Sequence, residues 1–408
     1  MMDKMAKTKG ESIRHFYYQG PLSCSELSSH LHKSLPYATR LISELMEEGC
    51  VQEMGYASST GGRRPLTYAL LNDAFYIVSV AMDQFLTRVA VLDLNNQPIC
   101  PEQEFALDLS GNPKSLEQLG DLLSAYITNC GIPHKKLAGI GIGMPGFIDI
   151  SKGINHSFLP APAGQTVVSY LKSRTQLPVH IDNDSSLIAL AESKFGQGKE
   201  GQHCLIVNIG WGVGLGIVLN GHLYRGNNGF AGEFSHIPLF TNNKMCSCGK
   251  LGCLETESSL AILVAKAREG RHSGIATALP DLEGRSLQAS IDLIIKAALN
   301  GDRFVLELIG EIGYNIGRGI AILIHVLNPS HVVLSGRGAA MGNLWLPSVQ
   351  KAINEHCIPR IAEKATFSVS TLGKAAELVG GACLVMEHIQ QFYNKPIQRT
   401  VTRIPAAV

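Results

Sequence analysis

Cys246-Ser247-Cys248-Gly249-Lys250-Leu251-Gly252-Cys253-Leu254-Glu255 places three cysteines within eight residues, a spacing that is hard to explain without a metal. Gly249 and Gly252 let the backbone curl around an ion. Three thiolates and one imidazole make a closed tetrahedral zinc site of the structural kind. Three reduced thiols in a turn, or one strained disulfide, are the plainer alternatives. His222 is a possible fourth ligand, though a poor one.

The other cysteines (Cys24, Cys50, Cys100, Cys130, Cys204, Cys357 and Cys383) stand alone and read as buried apolar thiols. The opening Met-Met-Asp-Lys-Met lacks the apolar core that export requires, and no apolar run is long enough to span a bilayer. A cytoplasmic protein without membrane attachment is the expectation, and there cysteines serve as thiols or ligands.

With 408 residues, the chain is expected to hold two or three domains. A composition 45% hydrophobic and 17% charged excludes a disordered chain. The net charge of +1 excludes a molecule-wide basic field, so any contact with DNA has to be local.

The first seventy residues have the layout of a DNA reader. Residues 13–18 read as a short helix closed by Gly20-Pro21. Ser23 and Glu26 form a capping box, with Leu22 and Leu27 as its hydrophobic staple. A third helix starts near Ser34 with Pro36 in its first turn, and Leu35, Ala38, Leu41, Ile42 and Leu45 form its apolar stripe. Strands at 50–54 and 66–70 flank a loop that ends in Gly61-Gly62-Arg63-Arg64-Pro65.

That order is a winged helix-turn-helix over residues 1–72. Tyr37, Thr39 and Arg40 would then reach the major groove, and Arg63 and Arg64 the backbone or minor groove. The alternative is a three-helix protein-interaction module. Charge does not choose between them, because residues 1–70 hold eight Lys/Arg and seven Asp/Glu.

Beyond residue 73 the pattern becomes mixed α/β. Strand-like runs lie at 75–82, 87–94, 138–142, 179–181, 204–209, 215–219 and 331–334. Helical runs lie at 115–129, 185–195, 260–268, 286–299 and 303–326. The hairpin at 77–94 is echoed by another at 205–219, which predicts a duplicated core forming two lobes around a cleft.

From about residue 75 to 385, ordered segments resemble the ROK family of bacterial sugar kinases and sugar-responsive repressors. They are Gly141-Ile142-Gly143-Met144-Pro145-Gly146, Asp182-Asn183-Asp184, Gly210-Trp211-Gly212-Val213-Gly214, Ala231-Gly232-Glu233-Phe234-Ser235-His236 and the cysteine stretch. The appended winged helix is typical of the repressor branch. The resemblance implies a two-lobed ribonuclease H-like fold, that of actin-like ATPases and sugar kinases, over residues 73–388. Residues 389–408 are left as a C-terminal tail.

The resemblance also supplies His236 as the fourth zinc ligand beside Cys246, Cys248 and Cys253. It implies sugar contacts at Asn183, Asp184, Glu233, His236 and Glu255, since each sugar hydroxyl must recover hydrogen bonds lost from water. One nitrogen of His236 would bind zinc while the other faces the sugar. Asp184 matches the aspartate that takes the proton from the attacking sugar hydroxyl in family kinases. Outside this resemblance, Asn183-Asp184 reads as a helix cap.

Family kinases carry Asp-x-Gly-Gly-Thr on the first hairpin. The corresponding residues here are Ala81, Met82, Asp83, Gln84 and Phe85, which offer no phosphate cradle. Trp211 stands where the kinases hold a threonine, and Gly336-Arg337-Gly338 lies near their adenosine position. The expectation is a sugar-responsive regulator without catalysis, a repressor. As a homodimer or homotetramer it would bind a pseudo-palindromic operator and release it when a sugar or sugar phosphate enters the cleft. The helix at 303–326, with Gly317 and Gly319, is the candidate lobe interface. The rivals are an ATP-dependent sugar kinase with a DNA-binding appendage, and a regulator whose signal is a partner protein.

Overall fold

The computed structural model describes residues 4–57, 64–199 and 201–393. Helix α1 (Lys4–Gln19) starts well before residue 13 and buries Ile13, Phe16 and Tyr17. Strand β1 (Leu22–Ser23) leads into α2 (Cys24–Leu31). There the Ser23 hydroxyl accepts from the Glu26 amide at 3.3 Å, and the Glu26 carboxylate accepts from the Ser23 amide at 2.8 Å. Helix α3 (Leu35–Glu47) follows, and then β2 (Val51–Tyr56) and β3 (Leu66–Leu70) complete a sheet of order β1-β3-β2. Ala38, Leu41, Ile42 and Leu45 are buried as the stripe requires. Leu35 is 50% exposed, because the first turn of α3 projects past the small core.

The first lobe contains β4 (Tyr76–Met82), β5 (Leu86–Leu92), β6 (Gln103–Ala106), α4 (Ser115–Asn129) and β7 (Leu137–Met144). The short β8 (Ile148–Asp149) and β9 (Ile154–Asn155), α5 (Val167–Thr175), β10 (Val179–Asn183) and α6 (Asp184–Phe195) complete it. The second lobe contains β11 (Cys204–Ile209), β12 (Val213–Leu219), β13 (His222–Tyr224), α7 (Leu260–His272), α8 (Leu287–Leu299) and α9 (Arg303–Leu327). It continues with β14 (His331–Ser335), α10 (Leu346–His356), α11 (Pro359–Ala362), β15 (Thr366–Val369) and α12 (Ala375–Glu387).

The main sheets have orders β10-β7-β4-β5-β6 and β13-β12-β11-β14-β15. In each, a three-stranded antiparallel meander is extended by two parallel strands, so the echo of hairpins is a duplicated topology. No helix among the described residues is long and apolar enough to cross a membrane.

The lobes are joined by two helices, and neither is α9. Helix α6 follows β10 of the first lobe but packs on β11 and β12 of the second, while α12 ends the second lobe and packs on β4 and β7 of the first. Glycines permit both approaches. A Cβ on Gly216 would lie 2.0 Å from that of Ala189, and one on Gly141 would lie 2.0 Å from the carbonyl oxygen of Gly381. Helix α9 instead stays within the second lobe, where Gly317 faces Ala352 of α10 and Gly319 faces Leu254. Its glycines serve close packing, but not at the expected place.

The segment after residue 389 is also tied down over its described part. Helix α13 (Gln390–Tyr393) packs on α1, Phe392 meets Phe75 with ring centroids 5.2 Å apart, and the Tyr393 hydroxyl lies 3.2 Å from Cys50 Sγ. One buried cluster therefore runs from Ile13 and Leu41 through Phe75 to Leu384 and Ile389. The winged helix rests on the end of α12. Residues 394–408 lie outside the described residues.

Candidate functional site

The cysteine stretch is held by short backbone bonds, with Cys246 N donating to Lys250 O at 2.8 Å and Gly249 N to Cys246 O at 2.9 Å. Gly252 has φ +73°, and a Cβ there would lie 1.9 Å from the Phe240 carbonyl oxygen, so no other residue fits. The donor atoms of His236, Cys246, Cys248 and Cys253 all lie within 4.8 Å of one another. Cys246 Sγ is 3.5 Å from His236 Nδ1, and the sulfurs of Cys248 and Cys253 are 3.7 Å apart. A zinc tetrahedron with metal–ligand bonds of about 2.0–2.3 Å has edges of roughly 3.5–3.8 Å, which these two pairs match, so the four residues could hold such an ion. All ten cysteines are free thiols. His222 is exposed on β13 and does not join the cluster.

Between the lobes lies a cleft of about 570 Å³ that brings together Asn183, Asp184, Glu233, His236 and Glu255. His236 links it to the cysteines: Nδ1 faces Cys246, while Nε2 is 3.7 Å from Glu233 Oε2. Asn183 is also the cap of α6. Its Oδ1 accepts from the amides of Ser185 at 3.0 Å and Ser186 at 3.4 Å, and its Nδ2 donates to Gly146 O at 3.2 Å. Burial, together with the negative charge of Glu377, pushes the Asp184 carboxyl up to about 7. Burial also raises Glu233, against the pull of His236. Glu255 accepts from the Ser235 hydroxyl at 3.1 Å.

Three residues of this region are given no role by the sequence reading. Glu377, in the first turn of α12, lines the cleft and pairs with Arg88 of β5. Asp182, 1% exposed, accepts from Arg225 of the second lobe at 2.7 Å. Asn208 donates to the Ser185 hydroxyl at 3.0 Å. All three depend on partners far away in the chain. Only Asp182 lies in a quoted motif, and nothing local marks Arg225 as its partner.

On the other side of the cleft, Asp83, Trp211 and Arg337 form one cluster across the lobes. Asp83 Oδ1 accepts from the amides of Phe85 and Leu86, both at 2.8 Å. Its Oδ2 accepts from Trp211 Nε1 at 3.0 Å and from Arg337 Nη2 at 2.9 Å. The Arg337 guanidinium lies 4.8 Å over the Trp211 ring. Asp83 thus uses both oxygens in contacts within the chain. Phe85 stands at the hairpin tip, 45% exposed.

On the winged helix, Arg40 is exposed and pairs with Glu44 at 2.9 Å, and the Thr39 hydroxyl is turned back onto Leu35 O at 3.0 Å. Tyr37 is half-buried, its hydroxyl 3.8 Å from Met5 Sδ of α1. Lys9 pairs with Glu44 and Glu48 at 3.0 and 2.6 Å, pinning α1 to α3. Arg64 is exposed, and Arg63 lies outside the described residues.

The chain is 28% identical to a xylose repressor of Caldicellulosiruptor bescii over 375 residues, covering 91% of this chain and 93% of that one. It is 36% identical to a glucokinase of Halalkalibacterium halodurans over 273 residues, covering 66% of this chain and 82% of that one. Its fold matches the crystal structure of a ROK family transcriptional regulator, a homologue of the E. coli MLC protein, with a TM-score of 0.78, 23% identity and coverage of 95% and 97%. The profile of the ROK family spans residues 87–388, and the chain belongs to that family.

Proposed function

We propose that this ROK protein is a sugar-responsive transcriptional repressor. In this reading its winged helix binds operator DNA, and its kinase-derived cleft binds a sugar or sugar phosphate. The observation that carries the proposal is α12. Its first turn places Glu377 on the cleft, and its last residue, Glu387, accepts from the Tyr18 hydroxyl at 2.9 Å and from Arg14 at 3.3 Å on α1. A sugar that binds one lobe arrangement more tightly moves α12 against the first lobe, and the winged helix moves with it. The similarity to a xylose repressor spans both parts of the chain and supports the reading.

Asp184, Glu233, His236 and Glu255 would receive or donate the sugar's hydrogen bonds, with Asn183 holding the turn. Thr39 and Arg40 would face the major groove, Tyr37 would brace α3 from its flank, and Arg63 and Arg64 would meet backbone or minor groove. A homodimer or homotetramer places two such helices on a pseudo-palindrome. We assign zinc to His236, Cys246, Cys248 and Cys253, where it supplies a fixed wall for the cleft. The test is fluorescence anisotropy with duplexes selected from a random pool by the purified protein. Operator affinity is expected to fall at least about tenfold with one sugar of a pentose and hexose panel, within the usual range of such couplings. Failure to select any duplex, or a selected duplex indifferent to every sugar, would overturn the proposal.

Glu387→Gln isolates the coupling. It is expected to leave sugar affinity within about twofold while cutting the sugar-induced change in operator affinity by about fivefold or more.

The kinase alternative draws on Asp184, whose carboxyl near 7 suits a general base, and on the glucokinase relative. Against it stand the four hydrogen bonds already made by Asp83, two of them from Trp211 and Arg337. We therefore expect no ADP release above the sugar-free rate, with a Phe85→Thr, Trp211→Thr double variant run alongside. Wild-type turnover at about 1–100 s⁻¹, the ordinary kinase range, would make the protein an enzyme.

A further inference from the structure

We propose, resting on the sugar-cleft reading above, that the cleft has a second subsite and that its preferred ligand is a saccharide of two or more rings. The second ring would lie on the aromatic pair Phe147 and Phe230.

The two rings come from different lobes and meet edge to face, with centroids 5.6 Å apart and planes at 77°. Phe147 remains 40% exposed although it stands in a fixed turn. Its amide donates to the Ser157 hydroxyl at 3.1 Å, and its carbonyl accepts from the His156 amide at 2.9 Å. The buried Asn155 side chain braces the same turn by donating to Pro145 O at 3.0 Å. Phe147 and Phe230 thus put a fixed aromatic surface on the cleft wall.

Both rings are wired to the groups assigned to the first sugar. Phe147 follows Gly146, whose carbonyl is bound by Asn183. Phe230 precedes Glu233 by three residues. Asp184 is half-buried, while Glu233 and Phe147 are both exposed, so the aromatic pair lies on the outer wall of the cleft beside Glu233. A pyranose offers the same division. Its rim of hydroxyls needs acceptors and donors, while its face of C–H bonds packs on an aromatic ring. A cleft of about 570 Å³ leaves room beside one ring for another. Because the pair spans the lobes, a ligand seated on it would also favour their closed arrangement.

The test is isothermal titration of the full-length, metal-replete protein with matched monosaccharides and disaccharides: xylose and xylobiose, glucose and cellobiose, glucose and maltose. At least one disaccharide is expected to bind about tenfold more tightly than its monosaccharide. Phe147→Leu, which keeps bulk without an aromatic face, and Phe230→Ala should each erase most of that advantage while leaving monosaccharide affinity within twofold. Thermal unfolding checks that both variants fold. If monosaccharides bind as tightly as disaccharides, or if both variants weaken the two classes equally, the second subsite is wrong and the sugar cleft stands. If no sugar of either size binds, the sugar-cleft reading fails and the subsite falls with it.

Discussion

Replacing Cys253 by serine is expected to strip the metal and lower the unfolding temperature by roughly 5–10 °C, the effect of losing several kcal/mol in a domain of this size. Cys253 is fully buried, and its neighbour Leu254 donates its amide to Ile237 O at 3.0 Å. The loop from Ile237 to Cys253 is closed on the protein side by the amides of Leu239 and Phe240, which donate to Gly252 O at 2.9 and 3.0 Å. Two isolated bridges, Pro238 with Cys253 and Met245 with Leu251, span it. Binding of zinc by four such donors is folding energy for the loop itself. The loss would also reach the cleft, because Glu255 lies two residues beyond Cys253 and His236 turns its other nitrogen toward Glu233. Sugar affinity should therefore fall with metal content. Elemental analysis by inductively coupled plasma mass spectrometry is expected to give one zinc per wild-type chain and less than a tenth of that for Cys253→Ser. A zinc-free wild type that unfolds at the same temperature and binds sugar equally well would refute the assignment.

Asp184→Asn is expected to cost at least about a hundredfold in sugar affinity while raising the stability of the sugar-free protein at pH 8. The first effect follows from removing a charged acceptor from the sugar hydroxyl assigned to it. The second follows from linkage. The carboxyl titrates near 7 in the fold, against an ordinary 3.8, so the native state holds its proton more tightly than the unfolded chain. The stability this contributes is complete below about pH 4 and is lost as pH rises through 7. At pH 8 the wild type bears the full cost of a buried carboxylate, a few kcal/mol by this linkage, which the asparagine removes. Sugar affinity of the wild type should rise as pH passes through 7, because the ionised oxygen is the better acceptor, and that of the variant should stay flat. Titrations at pH 6 and pH 8 with parallel unfolding curves read both effects. A wild type with equal affinity at the two values would show that Asp184 does not receive the sugar's proton donor.

The parts of the molecule legible in the residues share a short range. The capping box at Ser23, the stripe of α3, the hairpins and the cysteine spacing each lie within one element or one turn, where 3.6- and 2-residue periods and backbone reach set the geometry. The structure places them as those rules require, apart from Leu35, which an apolar period marks as buried although the helix end outruns its core. Helix α1 extends beyond the span its sequence predicts for a related reason: residues 4–12 are largely polar, and the helix is held by burial of Ile13, Phe16 and Tyr17 and by Lys9 on α3. Helix α12, with Gly380 and Gly381 in its middle, has no counterpart in the sequence reading. Only the sheet beneath it, touching Gly381 at Gly141, explains why glycine belongs there.

By itself, then, the sequence determined the winged helix, the two hairpins that head the lobes, and the three cysteines of the His236 cluster, because these groups lie close together in the chain. Only the tertiary structure decided which helices join the lobes, that α12 runs from the cleft to α1, and that Asp83, Trp211 and Arg337 meet. Asp83 and Arg337 are 254 residues apart, and no local rule ties them. Their meeting depends on how two whole sheets pack through α6 and α12, and packing between distant surfaces is not written in any one stretch of chain.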